Sequence, residues 1–403
     1  MSTVPPEAVI VSAVRSPIGR AGDGSLAGVR ADDLLAAVVE AALARVPELD
    51  PTGVDELIAG WASQEGGPGA NIARIAALLL GWDHLPGVTV NRFCASSLQA
   101  IRQAAQAVRC GDASVVIAGG VESSSLRSSE PGGAENPVFA EAGERSAAAA
   151  QGGGRAWTDP RLRGELPDPY IAAGLAAENV ADRYGITRAD MDAYAAQSQR
   201  RALEAAARGL HEMMPVKAPG GRKVQADDCP RAGVTAGSLS ALPPLFRPDG
   251  RVTAGNSAPA SDGAAAVIVM SAELAAIRGI EPLARIRATA VSALSPELEG
   301  PSPVAATRAA LARAGMSLAD IDVVTTNEPF AAQVLAYCSD LGLDPARVNA
   351  PGGSIALGEP QGATGARLAA TTLETLRHSG TGTALVTLSA RGGQGMAMVL
   401  EAP

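Results

Sequence analysis

Lysine is nearly missing from this 403-residue chain, occurring only as Lys217 and Lys223. Arginine supplies the other cations, and acidic groups outnumber basic ones to leave a net charge of −9. That balance excludes a nucleic-acid binder, which presents a basic face to phosphates. Histidine occurs three times (His84, His211, His378), too scattered for a metal site. Cysteine occurs four times (Cys94, Cys110, Cys229, Cys338), with no CxxC pair and no zinc spacing. No disulfide framework is read, and a reducing compartment is expected. Aromatic residues make up 3% of the chain, so the core must be built from Ala, Val, Leu and Ile. No apolar run reaches membrane-spanning length. Residues 1–6 carry neither a basic region nor an apolar stretch, so no signal peptide is read. A soluble, cytoplasmic protein is the expectation, with no metal and no membrane partner.

What is present is apolar content of 47% against 19% charged, enough for two to three domains with full cores. Strand and helix patterns alternate. Residues 8–14 read as a strand, 32–45 as an amphipathic helix with an Asp N-cap, 54–60 as a strand and 71–80 as a helix. A further strand, helix and strand follow to residue 120. This alternation predicts parallel strands with helices on both faces. From residue 122 to about 251 the character changes. Ser123-Ser124-Ser125, Pro131-Gly132-Gly133 and Gln151-Gly152-Gly153-Gly154 are loop chemistry, between which residues 172–184 and 188–208 read as helices. Residues 252–257 predict a turn, then a short helix and a buried strand ending near Met270. From Leu283 the order restarts: strand 284–290, helix 303–314, strand 321–326, helices 331–341 and 362–379, and a hairpin of 384–389 with 396–400. Two α/β halves of similar order place a site at their shared interface.

One stretch organises the chain: Val88-Thr89-Val90-Asn91-Arg92-Phe93-Cys94-Ala95-Ser96-Ser97-Leu98. It opens as strand and closes as helix, with Cys94 at the elbow. Unpaired N–H groups and the positive end of the helix dipole favour the thiolate there. By itself the pattern fits a buried structural cysteine as well as a nucleophile. Three polar loops, the last two rich in glycine, follow strand-like runs elsewhere: Asn327-Glu328-Pro329-Phe330-Ala331-Ala332-Gln333, residues 349–365 around Gly358-Glu359-Pro360, and Ser389-Ala390-Arg391-Gly392-Gly393-Gln394-Gly395. Glycine density permits close main-chain approach to an oxyanion or a long ligand.

Taken in order, these stretches resemble the thiolase family. The resemblance spans nearly the whole chain, from Ile10-Val11-Ser12-Ala13-Val14-Arg15-Ser16-Pro17-Ile18-Gly19 to Gly392-Gly393-Gln394-Gly395-Met396-Ala397, and includes Ala118-Gly119-Gly120-Val121-Glu122-Ser123, Ala177-Glu178-Asn179-Val180 and Val252-Thr253-Ala254-Gly255-Asn256. It implies an α/β thiolase-like fold: two βαβαβαββ halves packed as five layers, α-β-α-β-α, with an inserted loop domain. The boundaries are 1–122 for the first half (completed by 252–272), 123–251 for the CoA-binding loop domain and 273–403 for the second half. It implies a homodimer or homotetramer acting on acyl-CoA or carrier-protein thioesters, with coenzyme A as substrate and no tightly bound cofactor. Cys94 matches the nucleophile that takes the acyl group, and Asn327 the residue that holds a water in one oxyanion hole. The main-chain N–H groups of Cys94 and Arg391 match the second hole. Ala258, Pro329 and Phe330 fall where the pantetheine arm lies.

Two departures stand out. Where the family has Gly-His-Pro this chain has Gly358-Glu359-Pro360, and where it has a second cysteine this chain has Ser389, with Arg391 in the place of a glycine. A loop-domain histidine aligns with Ala172. A carboxylate can take the Cys94 proton, so acylation stays open. An ionised Glu359 repels an enolate; a protonated one donates to an oxyanion. Ser389 is too weak an acid to work as a base at neutral pH but can donate or relay a hydrogen bond. At position 391 a strained φ is expected. The reading is an acyltransferase that forms acyl-Cys94 with Glu359 as base, then passes the acyl group on in a specialised Claisen-type reaction. A non-catalytic CoA-binding subunit, or transfer to an amine, an alcohol or water, are the alternatives.

Overall fold

The computed structural model describes residues 6–64, 70–126, 135–152, 156–209, 211–380 and 382–403. The first five residues, the Pro131-Gly132-Gly133 turn and Gly153-Gly154 lie outside them. The chain opens with β1 (Ala8–Arg15), β2 (Gly19–Arg20), α1 (Ala31–Ala44), β3 (Glu56–Trp61), α2 (Ile72–Leu79), β4 (Gly87–Val90), α3 (Ser96–Cys110) and β5 (Val115–Ser123). Then come α4 (Ala140–Ala150), α5 (Ala173–Tyr184), α6 (Arg188–Arg208), the small hairpin β6 (Val216–Lys217) and β7 (Lys223–Val224), and α7 (Ala236–Ser240). The remainder is β8 (Ser261–Ser271), α8 (Ala272–Arg278), β9 (Ala284–Ala293), α9 (Pro303–Ala314), β10 (Val323–Thr326), α10 (Ala331–Leu341), α11 (Ser354–Leu357), α12 (Thr364–Ser379), β11 (Thr383–Ala390) and β12 (Gln394–Glu401).

The strands join in the order β10-β11-β12-β9-β1-β8-β5-β3-β4, with β2 beside β8. The sheet is mixed, which corrects the parallel arrangement expected from the alternation. β3 runs parallel to β4 and β5, and β10 parallel to β11, but β8 lies antiparallel between β1 and β5, and β12 antiparallel between β9 and β11. The tight turn between β11 and β12 permits no other direction. The short helix expected between residue 257 and the strand is not formed, and residues 261–271 are strand throughout. The start of β8, Asp262-Gly263-Ala264-Ala265-Ala266, pairs with Val14–Arg15 on one side and Gly119–Ser123 on the other, so the ladders override alanine's helical preference. Helix α1 also begins differently. Arg30 occupies the N-cap without a side-chain cap bond, and Asp32 pairs with Arg30 at 2.8 Å inside the first turn.

Side-chain alternation along the strands sorts the core into layers. In β8, Ala264, Ala266, Ile268 and Met270 face a cluster that includes Leu35, Val39 and Ala42 of α1 and Ala73 and Ala76 of α2. The alternate residues Ala265, Val267 and Val269 face α3 and α12. Met396, Met398 and Leu400 of β12 reach that same central layer, while Ala397 and Val399 turn outward to α9 and α10. The result is helix, sheet, helix, sheet, helix. The halves correspond strand by strand, except that the counterpart of β4 shrinks to a single bridge between Val324 and Val348. Among the described residues the two halves of the sheet join only where β1 meets β9, through the pairs Val9–Arg285 and Ile10–Ala284. Helices α3 and α12 therefore do most of the joining. Gly365 lets them touch: a Cβ there would sit 2.4 Å from the Leu98 nitrogen. No helix among the described residues is long and apolar enough to cross a membrane.

Candidate active site

Cys94 lies between the end of β4 and the start of α3, 4% exposed. The elbow is held by its own polar residues. Asn91 accepts from the Phe93 N–H at 2.8 Å, and its amide donates to the Ala62 carbonyl at 2.9 Å. The Ser96 hydroxyl accepts from the Arg92 N–H at 2.9 Å and donates to the Phe93 carbonyl at 2.6 Å. This forces Phe93 to φ 48°, a left-handed conformation costly for a side chain with a Cβ. The strain expected at Arg391 is not there. Among the described residues the non-glycine positive φ values belong to Gln64, Phe93 and Asn349, while the turn after Arg391 is made by Gly392 and Gly393. Gly60 of β3 lies beneath the elbow, where a Cβ would come within 2.4 Å of the Ser97 nitrogen.

The loops that the sequence singles out converge here. Asn327, at the end of β10, is a buried connector. Its amide donates to Glu359 Oε1 and to the Ser389 carbonyl, each at 2.9 Å, and its carbonyl accepts from the Ser389 N–H at 3.0 Å. Both amide hydrogens are thus committed inside the protein. Glu359, 7% exposed, has its second oxygen, Oε2, buried without a hydrogen-bond partner. Ser389 is buried at the end of β11, opposite Gly395. The main-chain N–H of Arg391 reaches the Cys94 sulfur. Ala258, Pro329 and Phe330 come together through main-chain bonds: the Ala258 N–H donates to the Pro329 carbonyl at 2.9 Å, and Ser257 bridges to Phe330. Phe330 meets Phe246 edge-on, with ring centroids 6.0 Å apart. The histidines lie elsewhere: His84 contacts the Pro51 carbonyl, and the rings of His211 and His378 are tilted 37° to each other with centroids 6.2 Å apart.

The electrostatics reverse one expectation. The Cys94 thiol is pushed well above its usual range, first by burial and then by the charges of Glu359 and Glu299. The N–H and charge of Arg391 pull the other way and do not prevail. A helix end favours an anion only over its first turn, and Cys94 precedes the N-cap, Ala95. Resting Cys94 is therefore a thiol. Burial raises the Glu359 carboxyl to about 7, against the pull of the Asn327 hydrogen bond and the Arg367 charge. A carboxyl near 7 can both take and return a proton at neutral pH.

Sequence reading passed over two further carboxyls. Glu328 is buried beside Asn327 and accepts from Tyr194 Oη (2.8 Å), Ser198 Oγ (2.7 Å), Asn349 Nδ2 (2.7 Å) and the Ile355 N–H (3.1 Å). Glu299, 4% exposed, precedes α9, and burial raises its carboxyl to about 7 as well, with Arg391 pulling it down and Glu359 pushing it up. The available signal was its setting, Ser295-Pro296-Glu297-Leu298-Glu299-Gly300-Pro301, one more polar loop between a strand and a helix.

Two α/β halves around a buried cysteine, with carboxyl groups and main-chain N–H donors about it, fit an acyltransferase. Comparison with known proteins gives the family. The model of the thiolase N-terminal domain matches residues 8–273 and that of the C-terminal domain residues 280–402. A beta-ketoadipyl-CoA thiolase of Pseudomonas knackmussii is 42% identical, covering 98% of this chain and 99% of its own. An acetyl-CoA acetyltransferase of Escherichia coli is 43% identical, covering 98% of both chains. Among solved structures, the Bacillus anthracis acetyl-CoA acetyltransferase superposes with a TM-score of 0.87 at 36% identity, covering 100% of both chains. Human mitochondrial 3-ketoacyl-CoA thiolase gives 0.85 at 34% identity, covering 98% of this chain and 99% of its own. The chain belongs to the thiolase family, acyltransferases that condense or cleave acyl-CoA thioesters.

Proposed function

We propose that this protein forms an acyl-Cys94 thioester from an acyl-CoA, or a carrier-protein thioester, with Glu359 as the base. It then hands the acyl group to a second thioester in a specialised Claisen-type reaction or its reverse. The observation that carries this is the Glu359 carboxyl: buried, raised to about 7, and tethered through one oxygen by Asn327. A thiol held protonated by burial needs a base that acts when substrate arrives, and general base help contributes ~10²–10⁴-fold. The Arg391 N–H at the sulfur supports an oxyanion site shared with the Cys94 N–H. Ser389, Glu359 and Arg391 depart from the family pattern, and with them the chain departs from ordinary condensation. Protonated Glu359 donates to the developing oxyanion in the second step; ionised, it would repel an enolate.

Substrate access follows the same reading. Ala258, Pro329 and Phe330 take the pantetheine arm, and residues 123–251 form the CoA-binding domain. A homodimer or homotetramer in the cytoplasm is the matching assembly. Beta-ketoadipyl-CoA and acetyl-CoA, substrates in the relatives' names, are the first to try. The test is intact-mass measurement after incubation with a panel of acyl-CoAs. An adduct that disappears in Cys94→Ala and forms at least a hundredfold more slowly in Glu359→Gln is expected. No adduct with any thioester, or one that survives Cys94→Ala, overturns the proposal and points to a non-catalytic CoA-binding subunit. Consumption of the adduct by water alone, whatever acceptor is offered, points to a hydrolase.

A further inference from the structure

Ser389 leaves a gap in the chemistry. Acyl transfer to carbon needs a second group to remove a proton from the acceptor's α-carbon, and a serine hydroxyl cannot do so at neutral pH. The loop carrying Glu299 is docked on the turn that carries Arg391. The Leu294 N–H donates to the Gly393 carbonyl at 2.8 Å, and Ser302 Oγ donates to the Gln394 carbonyl at 2.6 Å. Gly393 and Gly395 permit the contact: a Cβ on either would meet the loop's main chain at 2.4 Å (Leu294 O) or 2.2 Å (Ser302 O). On the other side, Gly300 lies against the first turn of α10, a Cβ there meeting the Gln333 Cα at 2.8 Å. Glu299 thereby lies within electrostatic reach of Arg391, Glu359 and Cys94, and its neighbour Gly300 packs against Gln333. Among the described residues its carboxyl makes no side-chain hydrogen bond or salt bridge, although the residue is 4% exposed. Gln333 beside it has both amide atoms buried without partners. Unpaired polar atoms such as those of Gln333 and Glu359 Oε2 are expensive in a sealed core, and they are what a cavity for a polar reacting group requires.

We propose that Glu299 is the second acid–base group of this site, and that it and Glu359 hold one proton between them that alternates as the reaction turns over. This rests on the acyl-Cys94 reading and supplies its missing half. The two carboxyls repel each other's charge, which favours a single shared proton near neutrality. At rest the one proton is divided between the two carboxyls, both raised to about 7, and acylation starts from the form with Glu359 ionised and Glu299 protonated. In acylation the Cys94 thiol gives its proton to Glu359, the sulfur bonds to the acyl carbon, and the bond to the CoA sulfur breaks. Glu299 passes its proton to that departing thiolate. In the second step ionised Glu299 removes the α-proton of the acceptor thioester. The α-carbon bonds to the acyl carbon, the bond to Cys94 breaks, and Glu359 returns its proton to the Cys94 thiolate. Both carboxyls end as they began, and no other reactant is consumed. Arg391, between Glu299 and Cys94 in the electrostatics, steadies whichever is negative.

The experiment compares full-length wild type, Glu299→Gln, Glu299→Asp and Glu359→Gln. Three rates are read: adduct formation by intact mass, adduct consumption by acetyl-CoA, and solvent deuterium entering the acetyl-CoA methyl group. Glu299→Gln is expected to acylate within about tenfold of wild type, because a thiolate leaves with little help. It should lose at least a hundredfold in consumption and in deuterium exchange. Glu299→Asp should restore part of both, and the bell-shaped pH profile of consumption should lose one limb in Glu299→Gln. Circular dichroism and denaturant unfolding check separately that each variant is folded. Exchange is also measured in Cys94→Ala, so failure of the acyl-enzyme reading is seen separately. Glu299-dependent exchange there upholds the proposal with no adduct in hand. Absence of exchange in wild type, or wild-type consumption and exchange in Glu299→Gln, overturns it.

Discussion

Replacing Glu359 with glutamine should make the protein more stable at alkaline pH while disabling it. Burial raises this carboxyl from the usual 4.5 to about 7. At about 1.4 kcal/mol per pH unit, keeping the ionised form in place costs roughly 3 kcal/mol. The sign follows from proton binding. Between pH 4.5 and 7 the folded protein retains a proton that the unfolded chain has already released, so stability falls as pH rises through that window and stays at the lower level above it. Glutamine has the same shape and no charge. Its amide can still accept from Asn327, but its NH2 lacks an acceptor where Oε2 lacks a partner now, a pH-independent cost of about 1–3 kcal/mol. The diagnostic quantity is therefore a difference of differences. Denaturant unfolding of both proteins at pH 5 and pH 8.5 should show the variant gaining roughly 2–3 kcal/mol on wild type between the two. Relief of Glu299, which the Glu359 charge pushes upward, adds in the same direction. Acylation measured by intact mass on the same samples should fall by ~10²–10⁴-fold. A stability gap that stays constant with pH refutes the buried-charge argument, and an unchanged acylation rate refutes the role of base.

Other outcomes follow from single contacts. Cys110 is exposed and Cys94 is buried with its thiol pushed upward, so iodoacetamide at pH 7 should label Cys110 well before Cys94, as peptide mapping would show. Asn327→Ala removes the partner of both main-chain groups of Ser389 as well as the donor to Glu359; a loss of about 2–4 kcal/mol in denaturant unfolding is expected. Gly365→Ala drives a methyl to 2.4 Å from the Leu98 nitrogen and should cost at least about 1–3 kcal/mol, lowering the melting temperature, whereas Gly380→Ala, with nothing within 4 Å but φ +64°, should cost about 1 kcal/mol. Arg15 is buried between Asp227 at 2.8 Å and Glu212 at 3.4 Å; Arg15→Ala strands both carboxylates, and a loss of about 3–5 kcal/mol is the expectation.

Much of the site could be read in advance because its residues announce themselves locally. Asn327, Glu359 and Ser389 each stand in a polar loop, glycine-rich in the last two cases, and Cys94 stands where a β-type run becomes helical. Glu299 gave a weaker signal. What makes it chemically interesting is a docking event between residues almost a hundred positions apart, permitted by the missing side chains of Gly393 and Gly395. Strand direction was equally hidden, since alternation of side chains is the same in a parallel and an antiparallel ladder. The position of strain was misread for a related reason. The third loop solves its turn with Gly392 and Gly393, leaving Arg391 relaxed, and it is the nucleophile's own elbow that twists Phe93. The thiolate expectation failed on magnitude: a helix end is a surface-scale effect, and complete burial beside two carboxyls exceeds it.

Glu328 bears on how this enzyme could be re-engineered. Its four donors come from three stretches: Tyr194 and Ser198 on α6, Asn349, and the start of α11. Gly353 makes room for it, since a Cβ there would fall 2.2 Å from the Glu328 carboxyl carbon. The segment between β5 and β8 is therefore not an interchangeable cassette. A chimera that imports that segment from a relative to alter substrate choice must carry Tyr194 and Ser198 equivalents with it. Without them the carboxylate next to Asn327 keeps only two of its donors, and the disturbance arrives at Glu359 by way of a single amide.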